Sequence, residues 1–234
     1  MPPTAAASQT RVAFKDRLRT GAHAAVDPVV RGLLRLGARA DHLTIAGLVL
    51  SLAAGLAFAI GRFRLGAAFA AASGVCDILD GQLARRDGHV SRFGAFLDST
   101  LDRVAEAAIL VGIAWFYIAT LVDLTTNPSR VLQDLNRGLE PITWGAIALL
   151  ALLALLGSFM VSYTRARAEG LGLECKVGWF ERPERLVLLI VAGLFGLGPV
   201  VPAALLLLTV LSFVTAAQRV THVWKITRGA GHDT

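Results

Sequence analysis

The sequence predicts an all-α, polytopic membrane protein: six transmembrane helices with an N-terminal amphipathic helix lying in the interface. Three observations carry that expectation. Apolar runs approaching the ~20 residues that cross a bilayer recur along the 234-residue chain. The hydrophobic share is 55% and the mean hydropathy +0.60, where a soluble domain sits nearer half apolar. Asp77, Asp80, Asp98 and Asp102 stand inside apolar sequence at helical spacing, where a membrane helix ordinarily carries no charge.

Residues 1–40 read as a first unit. Arg11, Lys15, Arg17, Arg19, Arg31, Arg35 and Arg39 mix with Val12, Phe14, Leu18, Val29, Val30, Leu33, Leu34 and Leu36. Basic and apolar residues interleaved in this way suit a helix in the membrane interface, interrupted at Gly21 and Pro28. Residues 41–234 form the second unit, with spans expected over 43–60, 65–85, 93–122, 142–166, 183–197 and 200–223. A turn at Asp87-Gly88 lets the second and third run antiparallel. The 123–141 segment is long and polar for a loop and suggests at most a short surface helix. Trp144 and Trp224 fall near span ends, as interfacial tryptophans do.

Basic residues set the expected orientation. The N-terminal arm, the turn with Arg85, Arg86 and Arg92, the 165–185 loop, and the tail with Arg219, Lys225 and Arg228 fall on one side. An even number of spans brings both termini to that side, and the positive-inside rule makes it cytoplasmic. This reading also accounts for the net charge of +6, so a nucleic-acid partner is not expected; no DNA- or RNA-binding motif accompanies the charge. Cys76 and Cys175 form no disulfide framework or CxxC pattern. The five histidines lack HExxH spacing, which disfavours zinc. The N-terminus has no short apolar run ending in a cleavage site, so a signal peptide is not indicated.

The four aspartates organise the chain. Asp77 and Asp80 are i,i+3 neighbours and Asp98 and Asp102 are i,i+4 neighbours, so each pair projects from one helix face. Like charges gathered so closely cannot all stay ionised unless cations join them. Hard oxygen ligands of this kind suit Mg²⁺ or Mn²⁺.

The full stretch, Asp77-x2-Asp80-Gly81-x2-Ala84-Arg85-x8-Gly94-x3-Asp98-x3-Asp102, resembles without a gap the signature of the CDP-alcohol phosphotransferases. These integral membrane enzymes move a phosphatidyl-type group from a CDP-linked lipid to an alcohol. The resemblance implies that Asp77, Asp80, Asp98 and Asp102 bind metal, two ions in all, with Asp102 also the general base. It further implies nucleotide-lipid contacts from Gly81, Ala84 and Arg85, from Asp41, His42, Leu43 and Thr44 at the start of the first span, and from Ser91. A homodimer is implied by the resemblance alone.

The acceptor is read from two further segments. Ser162-Tyr-Thr-Arg165-Ala-Arg167-Ala-Glu169 and Glu181-Arg182-Pro183-Glu184-Arg185-Leu186 are similar to those of the inositol-phosphate lipid synthases within that family, as is Gln218-Arg219. Ser162, Arg165 and Glu169 share a helix face, while Arg167 points away. Arg165, Arg185 and Arg219, with Ser162, are therefore the expected ligands of an acceptor phosphate. Pro183 suits the first turn of a helix, whose positive end favours an anion. The expected reaction takes CDP-diacylglycerol and inositol phosphate to phosphatidylinositol phosphate and CMP, with glycerol-3-phosphate as the alternative acceptor. From a different class, four intramembrane carboxylates also fit a divalent-cation transport path. A transporter has no need for Gly81, Ala84, Arg85 and Gly94 at fixed intervals.

Overall fold

The structure is a computed structural model, and it describes residue 32 and the stretches 39–86, 91–127, 129 and 141–229. All the elements described are helices: α1 (Ala40–Ala59), α2 (Phe63–Arg86), α3 (Arg92–Thr126), α4 (Pro141–Glu169), α5 (Arg182–Leu194) and α6 (Val200–Gly229). Each coincides with an expected span to within a few residues. The expected interfacial helix, the 87–88 turn and most of the 123–141 segment lie outside the described residues.

Among the described residues, four helices are long and apolar enough to cross a membrane: α1, α3, α4 and α6. Their length and composition are those of an integral membrane protein. α2 has the length, 24 residues, but carries Asp77, Asp80, Arg85 and Arg86 in its C-terminal half. α5 has only 13 residues, about 20 Å of helix at 1.5 Å per residue, against a hydrocarbon core of about 30 Å.

Helix ends follow from local chemistry. After α1, Gly61 adopts φ 77°. Its N–H donates to Phe58 O at 2.9 Å, and the next N–H, of Arg62, donates to Ala57 O at 2.8 Å. This is the paired closure of a left-handed helix terminus, which a side chain at Gly61 would strain. The same closure ends α4: Gly172 has φ 76°, and Gly172 and Leu173 donate to Glu169 and Ala168. α3 is capped by Ser91, whose Oγ accepts from Gly94 N at 2.8 Å. α5 opens on Pro183, and Glu184 Oε2 reaches back to accept from Glu181 N at 3.2 Å.

The packing order departs from a simple hairpin of α2 and α3. Both pack on α1; α3 also packs on α4, α4 on α6, and α5 on α2 and α6. α1 and α3 approach to backbone contact. A Cβ at Gly55 would stand 2.3 Å from Ala108 O, and one at Gly112 would stand 2.1 Å from Gly55 O. In a bilayer, where apolar burial from water does not drive helix association, close approach through small residues does. One end of the bundle is sealed by aromatic rings: Phe63 meets Phe58, Phe116 and Tyr117, and Trp144 stacks obliquely on Tyr117 at 5.5 Å. Trp144, near the start of α4, packs against this aromatic cluster. The opposite end carries the carboxylates.

Gly112→Ala forces a methyl into a backbone carbonyl and is expected to cost ~1–3 kcal/mol, the usual scale of overpacking. Gly198→Ala, with open space around it, is the control. Thermal unfolding of both variants in detergent checks this; equal midpoints would mean that α1 and α3 do not meet at Gly112.

Candidate active site

Three of the four aspartates converge. One carboxylate oxygen each from Asp77, Asp98 and Asp102 lies within 4.8 Å of the others, and all three residues are partly buried. α2 supplies Asp77 and α3 supplies the other two, one turn apart. Asp80 turns aside: its Oδ2 accepts the Thr44 hydroxyl at 2.8 Å, which ties α2 to the first turn of α1.

The trio already holds a cation. Arg182, from the start of α5, donates from Nη1 to both oxygens of Asp77 at 3.0 Å, and the same nitrogen lies 2.7 Å from Asp102 Oδ2. A guanidinium standing among three carboxylates shows that the gap accepts positive charge. The donors are all hard carboxylate oxygens, the set that Mg²⁺ and Mn²⁺ prefer. The residues present thus fit a divalent ion.

Two cavities open on either side of the trio. The first, about 300 Å³, is lined by Asp41, Thr44, Asp80, Gly81, Ala84, Arg85, Ser91, Gly94 and Asp98. It gathers six of the eight residues expected to contact the nucleotide lipid. His42 and Leu43 are not among its lining residues, because they leave α1 on other faces; His42 is exposed. Ser91 reaches this cavity while also capping α3. The second cavity, about 460 Å³, is lined by Asp102, Arg103, Glu106, Ser162, Arg165, Glu169, Glu181, Arg182, Arg185 and Arg219, with others. All four expected acceptor residues are here, and Arg167 is not. Asp98 borders the first cavity, Asp102 the second, and the two carboxylates meet in the narrow gap between them.

Arg185 lines this cavity and also has a partner within the protein. It is 1% exposed, and Nε and Nη2 are bound to Glu106 at 2.6 and 3.0 Å. This bidentate pair locks α5 to α3 and leaves little of the guanidinium to offer a ligand. Sequence reasoning missed Glu106 and the contact of Arg182 with the aspartates. The first was visible, since Asp98, Asp102 and Glu106 form one i,i+4,i+8 stripe along α3. The second was not, because Arg182 lies 105 residues from Asp77 in sequence.

An all-helical bundle that gathers these carboxylates between two polar cavities is the architecture of an intramembrane transferase. The CDP-alcohol phosphatidyltransferase family model matches residues 38–224, and the chain belongs to that family. It is 37% identical over 203 residues to the archaetidylinositol phosphate synthase of Methanothermobacter thermautotrophicus, covering 86% of this chain and 89% of that one. It is 34% identical over 204 residues to the phosphatidylinositol phosphate synthase of Mycobacterium tuberculosis, covering 84% of each. The crystal structure of the M. tuberculosis synthase with CDP-DAG bound superposes with a TM-score of 0.68 at 33% identity, covering 84% of this chain and 92% of that one. The complex of that enzyme with manganese and citrate gives 0.68 at 32% identity, covering 84% and 88%.

The Glu106–Arg185 pair yields a stability prediction. Removing one partner of a buried ion pair leaves an uncompensated charge, at a typical cost of about 3–5 kcal/mol. Glu106→Gln should therefore lower the unfolding midpoint in detergent sharply, and adding Arg185→Met should recover part of the loss. A midpoint unchanged by Glu106→Gln would contradict the structural role assigned to the pair.

Proposed function

We propose that this enzyme transfers the phosphatidyl group of CDP-diacylglycerol to inositol phosphate, forming phosphatidylinositol phosphate and releasing CMP. The observation that carries the proposal is the placement of the Asp77–Asp98–Asp102 cluster between two cavities of different character. One side offers small residues, Gly81 and Ala84, against which a nucleotide fits closely. The other offers Arg165 and Arg219 beside Ser162, a setting for a phosphate on the acceptor. The names of both relatives support an inositol phosphate product, and that of the M. tuberculosis synthase supports the phosphatidyl group.

The roles follow from these positions. The CDP-lipid lies in the first cavity, with Arg85 and Thr44 near its pyrophosphate and its reacting phosphorus turned toward the carboxylates. Asp77, Asp98 and Asp102 would hold divalent metal, with Asp80 completing the set for a second ion. Bound there, the metal supplies charge neutralisation on the phosphates and on the departing nucleotide. The acceptor enters the second cavity with its phosphate on the arginines, which aims a ring hydroxyl at the gap. Asp102 borders both the gap and this cavity and takes the hydroxyl proton as the oxygen attacks. One P–O bond forms to the acceptor, the pyrophosphate P–O bond breaks, and CMP leaves. A metal held by Asp77, Asp98 and Asp102 would take the place that the Arg182 guanidinium occupies here. Arg182 remains beside the acceptor cavity, where its charge is next most useful.

The same reading treats residues 41–234 as one catalytic unit of six spans. α2 and α5 complete the set because their outward residues are apolar and exposed: Val75 and Ile78 on α2, Val187, Val191 and Leu194 on α5. The basic flanks put the active site and both termini on the cytoplasmic face, and two copies associate as a homodimer.

Purified protein with Mg²⁺ and CDP-diacylglycerol should release CMP with inositol phosphate as acceptor. Preference for glycerol-3-phosphate would reassign the acceptor, and no CMP with either would defeat the proposal. Asp102→Asn should keep CDP-lipid binding and lose roughly 10²–10⁴-fold in rate, the usual value of general-base help. If binding fell as steeply as rate, Asp102 would be a ligand only. Arg165→Ala should raise the Michaelis constant for inositol phosphate roughly ten- to a hundred-fold with CDP-lipid affinity unchanged; an equal loss for both substrates would remove Arg165 from the acceptor site.

A further inference from the structure

The arginine cavity contains an anion of the chain's own. Arg219 is 2% exposed, and its guanidinium is fixed by two backbone carbonyls. Nε donates to Val177 O at 2.8 Å and Nη1 to Val161 O at 2.5 Å. The remaining nitrogen, Nη2, donates to Glu181 Oε1 at 3.3 Å. The same oxygen lies 3.9 Å from Nη1 of Arg165, whose Nε is held by Glu169 at 2.9 Å. One carboxylate oxygen is thus shared by two guanidinium groups, one from α4 and one from α6. The Glu181 side chain is 42% exposed, so it stands in the cavity mouth and is not packed into the bundle.

We infer that Glu181 is a specificity-determining residue: its carboxylate stands where the acceptor's phosphate binds, and only a ligand able to displace it is admitted. The inference rests on reading this cavity as the acceptor site. A phosphate dianion carries two charges and three terminal oxygens, and it can satisfy Arg165 and Arg219 together. The single shared oxygen of Glu181 does so poorly, as the 3.3 and 3.9 Å separations show. A small carboxylate or a neutral polyol offers the arginines no more than Glu181 already does. The site therefore excludes them, and Arg219 keeps a counter-ion between turnovers instead of standing as uncompensated charge beside the membrane.

Calorimetric titration of inorganic phosphate and of acetate into the detergent-purified full chain, without CDP-lipid or metal, tests this apart from turnover. Glu181→Gln should bind phosphate roughly tenfold more tightly than the unaltered protein, the scale of one charge-assisted contact. It should also gain acetate binding that the unaltered protein lacks, and adding Arg219→Gln should abolish both gains. Phosphate affinity in Glu181→Gln equal to or below that of the unaltered protein overturns the inference, as does undetectable phosphate binding by both. Should the glutamine variant not fold, Glu181→Ser keeps a side chain suited to the helix start and carries the same expectations. The predicted phosphate shift in a protein that releases no CMP with inositol phosphate would uphold Glu181 in this role and count against that acceptor.

Discussion

Mutual repulsion among Asp77, Asp98 and Asp102 is the constraint from which the rest of the site follows. Their oxygens lie within 4.8 Å of one another. At such a separation two unit charges repel by about 4 kcal/mol at an effective dielectric of 20. For all three to stay ionised a cation must join them, and Arg182 meets Asp77 and Asp102 at 2.7–3.0 Å. That requirement brings the start of α5 against α2 and α3. In turn, Glu181 is delivered to Arg165 and Arg219, and Arg185 to Glu106. The dipeptide Glu181-Arg182 therefore places an anion where a phosphate is expected and a cation where a metal is expected.

The bundle is divided to make this possible. Its aromatic end, from Phe58 to Trp144, and the backbone contact of Gly55 with Gly112 hold α1 and α3 together in the apolar part. α1 is wedged between α2 and α3, so the two carboxylate helices converge only near the polar end. The space left beside them becomes two cavities instead of one closed seam. The paired turns at Gly61 and Gly172 end α1 and α4 abruptly. In α4 this leaves Arg165 and Glu169 in the last turns, at the cavity rather than beyond it.

Much of this was legible in the sequence because it rests on short-range periodicity. Apolar runs located all six described helices, and i,i+3 and i,i+4 spacing put Asp98 with Asp102 and Ser162 with Arg165 on shared faces. Small residues and arginines separated by fixed intervals sorted themselves into the two cavities. What stayed hidden depends on contacts between distant segments. Nothing local in Arg182 or Arg185 says that one turns to Asp77 and the other to Glu106, since both sit in the same basic turn and either could have faced a ligand. The insertion of α1 between α2 and α3 is likewise set by glycine-to-backbone approach, which no hydropathy pattern encodes. The shortness of α5 was obscured because Phe195 and Leu197 continue its apolar run past the last helical turn.

The three-aspartate cluster is a cation site for which Arg182 is the internal occupant. Anomalous diffraction at the manganese edge, from crystals of the protein grown with Mn²⁺, addresses it most directly. A peak bounded by Asp77, Asp98 and Asp102 is expected, with the Arg182 guanidinium withdrawn from hydrogen-bond distance of Asp77 and Asp102. Manganese bound elsewhere, or Arg182 still bridging the same carboxylates with the metal present, would contradict it.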